Sequence, residues 1–142
     1  MAEALFNHLG QGRYAAVSAG SNPAGYIHPV AIKAMEVFKI PMEGQYSKSW
    51  QMLKSLPQDV IITLCDHAAG QPCPLWTGDP IVVHWPLPDP SFHPGDDETR
   101  VAAALGVAWT LRRRIEGMIC LPLETMSKED LAQSLRALGE QW

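Results

Sequence analysis

The sequence predicts an α/β domain with a mostly parallel sheet. Residues 59–65 and 81–85 form two continuous apolar runs, which are typical of strands covered on both faces. Segments with the apolar spacing of helices stand before and after these runs, and this alternation favours the α/β class. Because 142 residues suit a single core and we find no internal repeat or linker, residues 1–142 are expected to form one domain.

The elements before the first apolar run follow from local patterns. Residues 2–9 carry apolar side chains at helical spacing and predict an amphipathic helix. Residues 14–19 predict a short strand, because a stretch rich in Gly, Ser, Asn and Pro follows them. Pro29 suits the first turn of a helix that continues through residues 30–38.

Capping residues and apolar stripes predict the other helices. Ser47 or Ser49 can cap a short helix. A long helix is predicted over residues 97–119 from its apolar stripe, and Cys120 is expected to pack in the core at its end. Ser127 is the predicted cap of the last helix.

Composition and charge exclude several classes of function. The net charge is −4 and no basic stripe is present, which argues against a nucleic-acid surface. No stretch approaches the roughly 20 apolar residues of a membrane span, and no basic region with an apolar core marks a secretory signal. Three cysteines are too few for a disulfide framework, so a reducing cytoplasm is the expected location.

Two cysteines stand in the segment TLCDHAAGQPCPLW. Cys65 ends the first apolar run, at the carboxyl end of a predicted strand, where open α/β sheets bind ligands. Cys73 follows in a loop with Gly70 and Pro72, and two such cysteines can form a disulfide if their Cα atoms come within about 7 Å. The alternative is that Cys65 is buried as a small apolar side chain.

A carboxylic acid follows the next predicted strand, in the segment HWPLPDP. Asp89 stands between Pro88 and Pro90, so its backbone is stiff, and it is expected near the same sheet edge as Cys65. An acid at this place can donate a proton to a leaving group. The alternative is an ordinary turn that begins with Asp-Pro.

Four segments in order, SAGSNPAGYIHP, YSKS, DVIITLCDHAAGQPCP and HWPLPDP, span nearly the whole chain. Together they resemble the arsenate reductases built on the low-molecular-weight tyrosine phosphatase fold. The start, MAEAL, also resembles the first helix of that family. The resemblance implies a three-layer α/β domain with about four strands, a cytoplasmic location and a role in arsenic resistance.

The resemblance also implies a thiol relay. In the family, a thiolate in an anion-binding loop attacks arsenate while an aspartate donates a proton, a second cysteine displaces arsenite, and a third closes a disulfide. By position, Cys65 resembles the second cysteine, Cys73 the third, and Asp89 the general acid. Thioredoxin, glutaredoxin or a low-molecular-weight thiol serves as reductant, and no cofactor or metal is implied. The Cys-x₇-Cys spacing is one residue longer than in the best-known thioredoxin-coupled members, so the reductant stays open.

The family's first strand and Cys-x₅-Arg loop are expected to be missing from this sequence. Gln71, Asp79 and Met126 stand six residues after the three cysteines, where the motif requires arginine. An oxyanion needs backbone N–H groups and an arginine fork, so the chain as written is expected not to turn over arsenate. A second chain, as in a homo-oligomer, or a rearranged strand is expected to fill the place of the missing strand.

The resemblance also bears on three further residues. Glu3 and Ser18 resemble residues that brace the loop or a nearby monovalent cation in some members. Lys48 stands where some of those members carry an acid.

Three other functions stay open. A low-molecular-weight tyrosine phosphatase would share the fold, but phosphoester hydrolysis needs no relay thiols, which favours the reductase. A non-catalytic binding protein on the same scaffold is the second. The third is a metal site formed by Cys65, His67, Cys73 and His84, although their spacing matches no standard zinc pattern.

Overall fold

The described part of the chain contains one sheet of two parallel strands. The computed structural model describes residues 1–20, 24–53, 55–64 and 78–140. Strand β1 (Val60–Thr63) pairs in parallel with strand β2 (Ile81–His84), and Thr63 lies opposite His84. Both strands fall within the apolar runs from which they were predicted, and the α/β class is confirmed.

Four α-helices and two short 3₁₀ turns make up the other regular structure of the described residues. They are α1 (Ala2–Gly10), α2 (Pro29–Val37), α3 (Asp97–Ile119) and α4 (Lys128–Gly139), with 3₁₀ turns at Trp50–Met52 and Pro90–Phe92. The predicted positions of all four α-helices are confirmed. The short helix predicted after Ser47 or Ser49 is a single 3₁₀ turn, and Ser49 caps it by accepting a hydrogen bond from the Gln51 N–H at 3.2 Å.

Side-chain caps fix where the later helices begin. The Asp96 carboxylate accepts hydrogen bonds from the Thr99 N–H at 2.9 Å and the Thr99 hydroxyl at 2.7 Å, at the start of α3. These hydrogen bonds, chiefly the one from the Thr99 backbone N–H, hold the pKa of Asp96 below its ordinary value. The Ser127 hydroxyl accepts from the Asp130 N–H at 3.1 Å and caps α4, as the sequence predicts.

The core joins every helix to the sheet. Its four largest fully buried side chains come from α1, α2, the residue after β2, and α4: Leu5, Met35, Trp85 and Leu135. Helix α3 packs against α1, α2 and α4, and α4 also packs against β2. The Trp85 indole N–H donates to the Leu135 carbonyl at 2.7 Å, so the one polar atom of this ring is satisfied inside the core.

Residues 14–19 differ from their prediction as a strand. The chain there has no ladder partner among the described residues, and only Gly20 forms an isolated parallel bridge, with Ser49. Its backbone hydrogen bonds go to side chains of α1 instead. The Ala16 N–H donates to Asn7 Oδ1 at 2.8 Å, and Asn7 Nδ2 donates to the Ala16 carbonyl at 3.0 Å. The described residues therefore hold two strands where about four were expected.

Helix length and polarity bear on membrane insertion. Among the residues that the structure describes, no helix combines the length and the apolarity that crossing a bilayer requires.

Gly139 lies where a side chain cannot fit. A Cβ there would lie 2.6 Å from Trp85 Cδ1 and 3.0 Å from the His84 carbonyl oxygen. We therefore expect Gly139→Ala to lower the free energy of unfolding by about 1–3 kcal/mol, although alanine forms helices more readily than glycine. Gly10 also ends a helix, but a Cβ there would lie 3.6 Å from its nearest neighbour. Gly10→Ala is the matched control and should leave stability unchanged or raise it. Equal urea midpoints for the two variants would contradict this packing account.

Candidate active site

A cavity of about 270 Å³ lies at the start of α1 and α2, beside the second 3₁₀ turn. Nine residues line it: Met1, Ala24, Tyr26, His28, Val30, Ala31, Asp89, Pro90 and Ser91. The wall is mostly apolar and carries a few polar groups that can orient a bound molecule.

Asp89 brings a carboxyl group to this cavity. Its Oδ1 accepts hydrogen bonds from the Ser91 N–H at 2.9 Å and the Ser91 hydroxyl at 2.6 Å, which begin the 3₁₀ turn. The residue is exposed and follows the carboxyl end of β2. The structure therefore places Asp89 at the predicted sheet edge in a defined orientation, from which it can reach a ligand in the cavity.

His28, to which the sequence analysis gives no role, lines the same cavity. The Val30 N–H donates to His28 Nδ1 at 3.2 Å, which caps α2. Because Nδ1 accepts, a neutral His28 ring carries its proton on Nε2 and offers a donor there. The Tyr26 ring lies 6.3 Å from the His28 ring, measured between centroids. The His-Pro pair at the predicted helix start was the available signal, since the residue before an N1 proline is the cap position.

Glu3, Ser18 and Lys48 form a polar cluster, and their roles beside an anion loop or a cation stay predictions. Glu3 Oε2 accepts hydrogen bonds from the Ser18 N–H at 2.8 Å and from the Ser18 hydroxyl at 2.5 Å. Lys48 Nζ lies 3.4 Å from the same oxygen, and only 4% of the Lys48 side chain is exposed. Its ammonium also donates to the Tyr46 carbonyl at 3.3 Å and lies 4.1 Å from the centre of the Tyr46 ring. The charge of Glu3 is thus balanced by a cation of this chain.

The carboxyl end of the sheet is a second polar site. The Thr63 hydroxyl lies 2.8 Å from His84 Nδ1, and the Thr63 carbonyl lies 3.0 Å from the same nitrogen. The Leu87 N–H donates to the Leu64 carbonyl at 2.8 Å, so parallel pairing continues up to the residue before Cys65. Cys65 and Cys73 themselves lie outside the described residues, and their pairing stays a prediction.

Cys120 corrects one sequence expectation. It is exposed, not packed in the core, because α3 ends at Ile119 and Cys120 is its C-cap residue. Its backbone N–H bonds the last turn of the helix, while its thiol lies at the surface.

The alternative of a metal site gains no support from the described residues. Within them, no group of three His, Cys, Asp or Glu side chains is arranged to hold a metal ion. Three of the four residues considered for that site, Cys65, His67 and Cys73, lie outside the described part.

Comparison with known proteins decides the family. Residues 1–106 match the family described as low molecular weight phosphotyrosine protein phosphatase. The chain belongs to this family.

Relatives within the low molecular weight phosphatase family include arsenate reductases. The chain is 31% identical to the glutaredoxin arsenate reductase of Synechocystis sp. over 84% of this chain and 85% of that protein. It is 31% identical to an arsenate reductase of Halalkalibacterium halodurans over 78% of this chain and 73% of that protein. A solved arsenate reductase in its reduced state superposes with a TM-score of 0.65 at 28% identity, covering 83% of this chain and 84% of the other.

The buried Glu3–Lys48 pair should contribute strongly to stability. We expect Lys48→Met to lower the free energy of unfolding by about 3 kcal/mol, because it leaves the largely buried Glu3 carboxylate without its cation. Lys128→Met is the control, since its ion pair with Asp79 joins side chains that are 52% and 94% exposed. That variant should lose less than about 1 kcal/mol. The measurement is the free energy of unfolding in urea. Similar decreases in both variants would contradict a larger contribution from the buried Glu3–Lys48 pair.

Proposed function

We propose that this protein is arsenate reductase-like and that its residues supply the acid and the second and third thiols of a thiol relay. The observation that carries the proposal is the place of Asp89, whose oriented carboxyl shares a cavity with the start of α1. The names of the two relatives support arsenate as the substrate. Phosphatase activity is less favoured, because phosphoester hydrolysis has no use for the paired cysteines of the TLCDHAAGQPCPLW segment.

The relay moves two electrons from two thiols to arsenic. The first thiolate of the scheme is that of the family's Cys-x₅-Arg loop, which is not among these 142 residues; it attacks arsenate, and Asp89 protonates the oxygen that leaves as water. The Cys65 thiolate then attacks the first sulfur; a disulfide forms and arsenite leaves with the electron pair of the broken S–As bond. Cys73 next attacks the Cys65 sulfur, releases the first thiol and leaves a Cys65–Cys73 disulfide. In this scheme Cys65 is the central sulfur and Cys73 the resolving one.

The source of reducing power follows from the disulfide that the relay leaves. We infer that glutaredoxin, with a low-molecular-weight thiol, reduces the Cys65–Cys73 bond, and the name of the Synechocystis relative supports this choice. The Cys-x₇-Cys spacing, one residue longer than in the best-known thioredoxin-coupled members, agrees with it. Such a system operates in a reducing compartment, so we place the protein in the cytoplasm.

The relay disulfide can be tested on the chain itself. Treatment with diamide should oxidise two thiols to one disulfide and leave one titratable thiol, that of Cys120. Peptide mass mapping should find the Cys65–Cys73 link, and glutathione with glutaredoxin should restore all three thiols. Cys73→Ser should abolish the link, while the control Cys120→Ser should form it normally. A mapped disulfide that includes Cys120 in the unmodified chain would contradict the assignment of the relay pair.

Turnover by these 142 residues is a separate matter. No Cys-x₅-Arg motif occurs in them, so an oxyanion lacks its arginine fork and the first thiolate of the scheme. We expect no arsenite from arsenate with glutathione and glutaredoxin, and no hydrolysis of an aryl phosphate. Saturable production of arsenite that Cys65→Ser abolishes would show instead that these residues bind and reduce the anion by other groups.

A further inference from the structure

The carboxyl group of Asp89 is oriented by a short turn that has little support of its own. The 3₁₀ turn Pro90–Phe92 contains two backbone hydrogen bonds, donated by the Phe92 and His93 N–H groups, and both are 3.2 Å long. A single turn of this kind is not stable in isolation, because so few hydrogen bonds do not offset the ordering of its backbone. Phe92 is 85% exposed, so apolar burial of its side chain does not hold the turn either. The position of the turn therefore depends on contacts with other parts of the chain.

The segment that contains the turn is attached to the rest of the fold on both sides. Before the turn, the Leu87 N–H donates to the Leu64 carbonyl at 2.8 Å. After it, Arg100 Nε of α3 donates to the His93 carbonyl at 3.0 Å. His93 is the C-cap residue of the turn, so the guanidinium bonds the residue at which the turn ends. Hydrogen bonds from charged donors are roughly twice as strong as those between neutral groups, which makes this contact an effective anchor.

Arg100 is itself held in a defined place. It lies near the start of α3, where its N–H donates to the Asp96 carbonyl at 3.0 Å. Its Nη1 lies 3.6 Å from Asp97 Oδ1, and 36% of its side chain is exposed. The guanidinium thus extends from a fixed piece of helix backbone, with a carboxylate beside it, toward the end of the turn that Asp89 begins.

The same turn decides which oxygen of Asp89 is available to act as an acid. Oδ1 accepts the hydrogen bonds from both the N–H and the hydroxyl of Ser91. The described residues give Oδ2 no hydrogen-bond partner. A proton on Oδ1 would compete with the two Ser91 donors, so the protonated acid carries its proton on Oδ2. Oδ2 is then the atom that delivers a proton, as long as the turn stays formed.

We propose that Arg100 is a positioning residue for Asp89. By holding the end of the turn against α3, Arg100 keeps Oδ1 bonded to Ser91 and leaves Oδ2 for the reacting oxyanion. This inference rests on the proposed role of Asp89 as the proton donor, but it concerns a geometry that exists without turnover. Its test can therefore fail while the thiol relay stands, and the relay can fail while the geometry holds.

The test is the chemical shift of the Ser91 amide proton in the full chain, measured by NMR. The hydrogen bond to the Asp89 carboxylate displaces this signal, and Asp89→Ala, which removes the acceptor, gives its value without that bond. Arg100→Met removes the donor to His93 and should lose at least half of the difference between the wild type and Asp89→Ala. Arg100→Lys keeps a charged donor and should recover more than half of that loss.

Two control variants separate this role from the charge of Arg100 and from the stability of α3. Asp97→Asn removes the ion pair of Arg100 but keeps the hydrogen bond to His93. Arg112→Met removes another arginine of α3, which is 38% exposed and pairs with Glu116 within the helix. Both variants should keep the wild-type Ser91 signal.

Three results would overturn the positioning role. The first is a wild-type Ser91 signal in Arg100→Met, and the second is an equal change of that signal in Arg112→Met. The third is an Arg100→Met chain that no longer folds, because Arg100 would then support the fold as a whole and not the place of Asp89. Circular dichroism of each variant identifies this last case.

Discussion

The burial of Trp85 fixes the part of the chain on which the candidate active site depends. Its ring is 1% exposed, and its indole N–H donates to the Leu135 carbonyl at 2.7 Å. Its backbone N–H donates to the Thr63 carbonyl at 2.8 Å, so the residue joins β1 and α4. The stiff Pro-Leu-Pro-Asp-Pro segment, residues 86–90, follows this fixed point directly and contains Asp89. The place of the carboxyl group therefore depends on α4, far along the sequence, through contacts with Leu135 and Gly139.

Local signals were enough for the helices and for the two strands, but contacts between distant segments were not predictable from them. The cap of α4 at Ser127 and the stripe of α3 are encoded within a few residues. Residues 14–19 have the composition of a strand, yet a strand also needs a neighbour along its edge, and that partner is not a property of the segment. The exposure of Cys120 escaped prediction for a related reason: one residue beyond a helix end, periodicity no longer says which way a side chain points.

The polar cluster shows what resemblance and geometry each contribute. Position in a family motif singled out Glu3 and Ser18, and the structure adds that the two side chains share a hydrogen bond. That Lys48 supplies the balancing charge depends on a contact between residues 45 apart in sequence, which spacing alone does not reveal. The structure gives a physical reason for lysine at position 48, where some family members carry an acid. A largely buried carboxylate such as that of Glu3 is stabilised by a cation, and Lys48 supplies it. The consequence is a first turn of α1 that is tied to Ser18 and to the Tyr46–Lys48 segment.

The charge of the cavity limits which ligands its described residues can hold. The residues that line it include one carboxylate, Asp89, and neither lysine nor arginine. An oxyanion placed there meets the Tyr26 hydroxyl and the His28 Nε2–H as donors, while the Ser91 hydroxyl already donates to Asp89. Two neutral side-chain donors do not balance a doubly charged anion beside an acid, so holding such an anion takes further donors of the kind that an arginine fork and backbone N–H groups provide.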